Sequence, residues 1–443
     1  MRVFGNHRIT TFQLIAFEFI LLILAGTILL ALPIASREAG GANLMDCLFT
    51  ATSAVCVTGL VVRDTAACWT SFGQAVILLL IQIGGMGVVT IAVSSAFLSG
   101  RKIGLIQRSA MQESISAPQI GGIVRLTRFI VFASLGMEAA GALLMSPAMI
   151  ARFGVGKGIW YAVFHAISAF CNAGFDLMGE NAPFSSLTGF AQNGPVNVTV
   201  MLLITVGGIG FLVWNDVKDH GFHWKAYRLQ SKVVLFTSLI LILVPALELF
   251  FFEMRQTPWK QRILPALFQS VTLRTAGFNT VDLNRISGSG QAMMIAWMLI
   301  GGSPGSTAGG MKTTTLAVLL LTALAVFRKK ENVTCFHRRI GEEAVRNAVA
   351  LLMMYCILFY ASGLVISRIE RLPLLTCLFE TASALGTVGL SLGITSRLSL
   401  VSRCLLIGLM FMGRVGGLTL IYAAQPGKKT VRSTLPLEKI TVG

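Results

Sequence analysis

LFTATSAVCVTGL at residues 48–60, VFHAISAFCNAGF at 163–175, LFQSVTLRTAGF at 267–278 and LFETASALGTVGL at 378–390 are four versions of one short stretch. Each has Phe at its second position, Ser or Thr four residues later, and Gly near its end. The end glycines are Gly59, Gly174, Gly277 and Gly389, at intervals of 115, 103 and 112 residues, close to a quarter of the 443-residue chain. Such a fixed period predicts a fold made of four repeated units.

A second glycine motif follows each stretch, with its first Gly 24–33 residues after the end glycine. It is an aliphatic residue followed by Gly-Gly, at 83–85, 206–208, 300–302 and 415–417. Chance is the alternative explanation, because glycine is common in membrane helices. Two motifs that recur together four times favour a repeat.

The composition indicates a membrane protein, since 54% of residues are hydrophobic, 12% are charged and the mean hydropathy is +0.75. A soluble chain has about 25% charged residues. Spans of about 20 apolar residues can cross a bilayer, and eight are predicted, at 13–33, 74–98, 126–149, 197–216, 233–252, 290–326, 347–366 and 402–424. Segments too short to cross lie between the spans of each pair, at 43–55, 158–170, 261–273 and 373–385.

The predicted fold is therefore an all-α membrane protein with four tandem helix–pore half-helix–helix units, arranged with pseudo-fourfold symmetry around a central pore. The predicted unit bounds are 1–107, 108–222, 223–340, which contains the interrupted span described below, and 341–443.

The net charge of +17 is distributed unevenly along the chain. The tails and even-numbered junctions between spans hold 21 Lys and Arg residues, against 12 on the opposite side. Cytoplasmic loops carry such an excess, so both termini are predicted to be cytoplasmic and the short segments to enter from outside. This placement explains the charge without nucleic-acid binding.

Half-helices that stop inside a membrane expose backbone carbonyls, which only protein or water can satisfy. Four such ends around one axis form a ring of oxygens that can replace the hydration shell of a monovalent cation, and glycine gives the backbone the freedom to aim them. The predicted filter consists of Val57, Thr58, Gly59, Asn172, Ala173, Gly174, Thr275, Ala276, Gly277, Thr387, Val388 and Gly389. Four acids follow these turns and either attract cations or form an ordinary solvated rim: Asp64, Asp176, Glu180 and Asp282.

These loops, VTGL, NAGFD, RTAGFNTVD and TVGLS, resemble the filter loops of the Trk/Ktr/HKT potassium transporter superfamily, and SVTLRTAGFNTVD at 270–282 is the most specific match. Eight spans, and the ending LPLEKITVG at 435–443, resemble its KtrB-type membrane subunit of bacterial potassium-uptake systems. In that family a Ser in place of Gly59 accompanies sodium selectivity, so Gly59 favours potassium.

The resemblance implies potassium uptake across the bacterial plasma (inner) membrane, often stimulated by sodium, with potassium bound at the filter carbonyls. It also implies a homodimer on a cytosolic RCK-type ring (KtrA-like), which binds ATP/ADP or NAD in place of this chain.

The sixth span is interrupted by IGGSPGSTAGGMKTTT at 300–315. Glycine costs about 1 kcal/mol and proline about 3 kcal/mol inside a helix, so a loop at membrane depth is predicted. The resemblance makes this loop an intramembrane gate, formed by Gly301, Gly302, Ser303, Pro304, Gly305, Ser306, Thr307, Ala308, Gly309, Gly310 and Lys312. The alternatives are a structural helix break and a phosphate-binding loop; the latter requires Gly next to Lys, and Met311 intervenes.

Two arginines lie at membrane depth, where charge is costly unless it faces a cavity or a partner. Arg414 is interpreted either as a barrier in the pore beneath the filter or as a clamp between helices. Arg274 is expected to support the third filter turn, with Glu380 as a candidate partner, and Lys312 to anchor the inner end of the gate.

Other classes fit less well, and no catalytic residues are predicted. An enzyme needs a cluster such as His-Glu-x-x-His, whereas four of the five histidines lie in predicted cytoplasmic segments and His165 stands alone on a half-helix. A secondary transporter, for sodium or sodium/potassium symport, typically has inverted repeats and two discontinuous helices. The four repeats here run in the same sense.

Overall fold

The structure is a computed structural model that describes residues 10–38, 40–87, 104–115, 119, 121–180 and 182–424. The chain folds as an all-α membrane protein of four consecutive units, each with an outer helix, a pore helix and an inner helix. The last part of the second predicted span, at 88–98, and the C-terminal ending at 435–443 lie outside the described residues.

The outer helices are the long ones, and in the described part of the chain they alone are continuous helices long and apolar enough to cross a membrane. They are Thr11–Leu30, Ile123–Phe153, Leu229–Glu248 and Glu342–Glu370. In unit 3 the helix continues as a π-helical turn, Leu249–Glu253.

The pore helices have 12–16 residues, too few to cross, and begin and end within three residues of the predicted short segments. They are Leu44–Val55, Val155–Phe170, Trp259–Thr272 and Leu374–Leu385. The repeated Phe of each, at 49, 164, 268 and 379, is completely buried. Van der Waals packing, and not removal of apolar surface from water, holds helices together inside a membrane, so this tightly packed Phe anchors each pore helix among the surrounding helices.

The inner helices end or break at the glycine motifs. They are Ser71–Met86; Gly194–Gly208 with Phe211–His220; Gly288–Leu299 with Thr313–Phe327; and Leu400–Val415 with Gly417–Ala424. The prediction of a single interrupted span is therefore wrong: the two halves in unit 2 meet at 94°. Gly210 and Gly416 have φ values of +95° and +92°, which interrupt a right-handed helix.

The second glycine motif permits close helix packing. Gly84, Gly207 and Gly413 lie against the carbonyl oxygens of Val55, Phe170 and Leu385 respectively, where a Cβ atom would collide. Each carbonyl lies four residues before a filter glycine, so inner helices pack directly on the ends of pore helices. In unit 4 the contacting glycine is Gly413, and not Gly416 of the predicted motif.

The remaining elements are short. They comprise helices Thr65–Cys68 and Leu105–Ser114, 3-10 turns Pro33–Ala35, Ser186–Phe190, Trp224–Ala226, Leu283–Arg285 and Thr395–Arg397, and a two-stranded hairpin of Thr334–Cys335 with Arg338–Arg339. The hairpin lies between the last helix of unit 3 and the outer helix of unit 4.

Candidate functional site

The four predicted filter glycines meet in a closed ring. A Cβ atom placed on Gly59 would lie 3.1 Å from the Cα of Gly174, and one on Gly174 would lie 2.9 Å from that of Gly277. The corresponding distances are 3.3 Å from Gly277 to Gly389 and 3.0 Å from Gly389 to Gly59. The order of units around the ring therefore follows the order in the chain, and the four turns share one axis.

The four turns also share a backbone conformation that side chains rarely adopt. The filter glycines have φ values between +68° and +94°. The residue two positions earlier also has a positive φ in every unit: Val57, Asn172, Thr275 and Thr387. Strained backbone persists where the surroundings enforce it, and it concentrates at functional sites. Left-handed residues at alternate positions allow successive carbonyls to face the same side, which a cation filter needs.

The repeated Ser of the pore helices in units 1, 2 and 4 braces the turn that follows, whereas the equivalent Thr272 hydroxyl of unit 3 is buried without a hydrogen-bond partner among the residues that the structure describes. In units 1 and 4 the filter glycine's N–H donates to the hydroxyl of Ser53 or Ser383, 3.0 Å away in both cases. In unit 2 the Ser168 hydroxyl instead donates to Phe175 O at 2.7 Å. The sequence pattern contained these hydroxyls but did not reveal this role.

A vestibule of about 280 Å³ opens on one side of the ring, opposite residues 301–313. The filter glycines line it, together with Asp64, Asp176 and Asp282. Burial raises the pKa of Asp176 to about 7, and the charge of Asp64 adds to the rise. Glu180 is outside this lining. Lys157 Nζ lies 2.8 Å from Glu180 Oε1 and lowers the pKa of the Glu180 carboxyl.

Residues 301–313, here called the gate loop after the role predicted for them, lie beneath the ring and form hydrogen bonds to neighbouring units. Ser303 N donates to Gly208 O at 3.0 Å, and Thr307 N donates to Gly207 O at 3.2 Å. On the opposite side, Gly310 N donates to Gly413 O at 3.1 Å. The loop therefore links the inner helices of units 2 and 4 across the pore axis.

Two gate-loop residues reach the filter turns themselves. Asn172 Nδ2 donates to Thr307 Oγ1 at 2.9 Å, and the Thr307 hydroxyl donates to Phe170 O at 3.0 Å. A Cβ atom on Gly309 would lie 3.1 Å from the Cβ of Thr387. The loop is thus in direct contact with the turns of units 2 and 4.

Arg414 acts as a carbonyl clamp between the gate loop and unit 1. Its Nη1 donates to Thr307 O, and its Nη2 donates to Gly84 O and, at 2.8 Å, to Gly85 O. Lys312 Nζ donates to Ala308 O at 2.9 Å, which ties the inner end of the loop to its middle. The gate loop therefore has direct or bridged contacts with units 1, 2 and 4 as well as its own.

The candidate pairing of Arg274 with Glu380 is wrong. The Arg274 guanidinium donates to Ser238 Oγ at 3.0 Å, on the outer helix of its own unit. Glu380 instead accepts hydrogen bonds from Ser391 and, at 3.0 Å, from Thr395. Each residue thus braces its own filter loop.

Asp46, on the pore helix of unit 1, was not predicted as a site residue. It lies 2.8 Å from Arg63, which follows the first filter turn, and 2.8 Å from Arg403 of the unit 4 inner helix. This buried carboxylate therefore joins the first and last units and closes the ring of units. The four-fold repeat contains no signal for it, because the other pore helices lack the acid at this position.

A ring of four re-entrant turns, with an acidic vestibule on one side and a multiply anchored loop on the other, defines a membrane protein that passes cations. A family model described as TrkH, cation transport protein, matches residues 7–433. The chain belongs to that family.

Similar proteins support this assignment. The potassium/sodium uptake protein NtpJ of Enterococcus hirae is 37% identical, over 99% of this chain and 98% of that protein. The Ktr system potassium uptake protein B of Bacillus subtilis is 36% identical, over 94% and 93% of the respective chains. The crystal structure of the potassium transporter TrkH from Vibrio parahaemolyticus shares the fold, with a TM-score of 0.75 at 20% identity, covering 95% of this chain and 86% of that one.

Proposed function

We propose that this protein takes up potassium across the plasma membrane of a bacterium, through the ring formed by the four filter turns. The observation that carries the proposal is the closed contact of Gly59, Gly174, Gly277 and Gly389. Four carbonyl-bearing turns around one axis can replace the hydration shell of a monovalent cation. The half-helices point their negative carbonyl ends toward the same place.

Potassium is the proposed main ion because the first turn has Gly59 where the resemblance associates Ser with sodium. The names of the Enterococcus and Bacillus relatives both include potassium uptake. The former also includes sodium, which supports sodium as a stimulating ion here. The second candidate function is sodium or sodium/potassium symport.

The gate loop is the proposed barrier to flow. Its hydrogen bonds to Gly207, Gly208 and Gly413, and its contacts with two filter turns, support a folded barrier across the pathway. Arg414 adds a fixed positive charge at the same level, in a position to repel a cation. Opening then requires these contacts to break together.

A cytosolic partner is the proposed source of the opening force. One relative is named as part of a Ktr system, which supports a second component. We assign this role to an RCK-type, KtrA-like ring that binds ATP/ADP or NAD, with a homodimer of this chain seated on it. The excess of Lys and Arg in the junctions that hold Lys218 and Lys329 supports cytoplasmic termini.

Flux measurement in proteoliposomes tests the function. The purified chain is reconstituted with a potassium gradient, and potassium and sodium movement are recorded with and without the cytosolic ring and nucleotide. We expect potassium flux that the ring increases. The proposal is contradicted if a correctly inserted, monodisperse protein moves no potassium when ring and nucleotide are present. Equal flux of potassium and sodium favours the sodium-coupled alternative.

A further inference from the structure

An open groove lies where the outer helix of unit 3 turns into its pore helix, and it shares no lining residue with the vestibule. Phe251, Phe252, Arg255 and Arg262 line it, and its volume is about 660 Å³. The π-helical turn Leu249–Glu253 contributes both Phe side chains. Such turns are rare and are frequent at functional sites.

The two arginines in the groove have little protein to neutralise them. Arg255 makes no hydrogen bond or ion pair with any residue that the structure describes. Arg262 donates one hydrogen bond, to Phe250 O at 3.3 Å, its guanidinium lies 5.0 Å from the centre of the Phe250 ring, and its buried Nε has no partner. The adjacent Glu253 instead accepts hydrogen bonds from Ser287 N and Oγ, at 2.8 and 2.6 Å.

The apolar side chains around these charges are exposed. Phe251 is 56% exposed, Phe252 69% and Trp259 60%. Lys260 Nζ lies 5.5 Å from the centre of the Trp259 ring. Trp and basic residues mark the level of the lipid headgroups at the ends of membrane helices. The groove thus combines unpaired positive charge with apolar surface at the depth where a lipid has its phosphate above its acyl chains.

We propose that this groove binds the phosphate-bearing headgroup of an anionic phospholipid. Guanidinium groups bind phosphate oxygens through paired, charge-assisted hydrogen bonds. Arg255 and Arg262 hold the phosphate, and Phe251 and Phe252 contact the first methylenes of the acyl chains. A free phosphate ion fits the arginines but leaves both aromatic side chains without a partner, which is why the lipid is favoured. The bound lipid fixes the turn from which the unit 3 pore helix begins.

Native mass spectrometry of the full chain in detergent tests the site with dioleoyl-phosphatidylglycerol. A second arm with dioleoyl-phosphatidylcholine tests whether the lipid must carry a net negative charge. A third arm with inorganic phosphate tests whether the free ion binds without a lipid. The test variant is Arg255→Gln with Arg262→Gln. The control is Arg368→Gln with Arg371→Gln, which removes two exposed charges from the corresponding end of the unit 4 outer helix.

We expect the test variant to bind phosphatidylglycerol about fivefold or more weakly, because one basic residue near a membrane surface contributes roughly that factor. The control should bind as wild type does, phosphatidylcholine should bind more weakly, and millimolar phosphate should not displace the lipid. Equal lipid binding by wild type and the test variant overturns the proposal, as does displacement by phosphate alone. A change from dimer to monomer in the test variant without lipid makes the groove an interface between copies, which also overturns it. Arg255→Gln alone, at an exposed position, serves if the double variant does not fold.

Discussion

The side-chain amide of Asn172 donates a hydrogen bond to the hydroxyl of Thr307, with 2.9 Å between Nδ2 and Oγ1. Asn172 is the strained residue of the second filter turn, and Thr307 is in the gate loop of unit 3. A single hydrogen bond thus joins a turn of the proposed filter to the proposed gate. Movement of one segment requires the other to lose a partner, and an unsatisfied buried polar group costs about 1–3 kcal/mol.

Replacing Thr307 by Val tests this connection. The substitution keeps the shape of the side chain and removes the hydroxyl that bonds to Asn172 and to Phe170 O. Loss of about 1 kcal/mol of closed-state stabilisation corresponds to a roughly fivefold rise in the open-to-closed ratio. We therefore expect higher potassium flux into proteoliposomes without the cytosolic ring.

Thr322→Val is the matched control for this change. Thr322 lies on the helix after the gate loop, and its hydroxyl donates only to Val318 O in the same helix. Its ring-independent flux should equal that of wild type. If Thr307→Val and Thr322→Val have the same flux, the filter–gate hydrogen bond does not hold the loop closed.

Substitutions of Arg414 can distinguish its two candidate roles, a clamp that holds the gate loop and a positive charge that repels cations. Lys retains the positive charge but not the forked donors that reach Thr307 O, Gly84 O and Gly85 O. Gln removes the charge as well. If the clamp dominates, Arg414→Lys and Arg414→Gln should both raise ring-independent flux, several-fold and to similar extents. Flux that rises in Arg414→Gln alone, by the same assay, would identify a charge barrier instead.

The repeat in the sequence was sufficient to predict the ring because all four units meet the same packing and backbone requirements with the same residue types. Phe49 and its three equivalents bury each pore helix, and Gly59 and its equivalents take the positive φ that each turn needs. These are local requirements of backbone and volume, so they are visible as residue types at fixed spacing.

Contacts between units were not predictable in the same way. The unit 2 inner helix bends at Gly210, where Phe211 N donates to Gly305 O at 2.6 Å, across units. Asp46 joins Arg63 and Arg403, which are 340 residues apart. Each of these contacts depends on a partner distant in sequence. A single sequence does not indicate which distant residues come into contact.

A shortened gate loop is expected to conduct without the cytosolic ring. Deletion of residues 306–309 removes the contacts with Asn172, Thr387 and Gly207 while leaving both flanking helices, so ring-independent potassium flux should rise well above that of wild type. Deletion of residues 329–332, in the linker before the hairpin, is the control and should leave flux unchanged. Unchanged or lower flux from a monodisperse 306–309 deletion would contradict a gate at this position.

Gly59→Ser tests the filter assignment. A Cβ atom at this position would lie 2.5 Å from Ala173 O, so the neighbouring turn must shift and alter the carbonyl ring. We expect a several-fold loss of potassium over sodium discrimination in flux assays. Gly40→Ser is the control, because Gly40 has a similar φ of +92° but no atom within 4 Å of the new Cβ. Unchanged ion preference in Gly59→Ser would remove this turn from the selective part of the pore.

External pH should change the affinity for potassium through Asp176. The pKa of this vestibule carboxyl is raised to about 7, mainly by burial, so the group is charged at pH 8 and mostly neutral at pH 6. Because an acidic mouth concentrates cations, acidification from pH 8 to 6 should raise the external potassium concentration needed for half-maximal flux. Asp176→Asn should need the higher concentration at both pH values, whereas Asp282→Asn, which removes a more exposed acid from the same vestibule, should retain the pH dependence. If Asp176→Asn keeps the wild-type pH profile, another group is responsible for it.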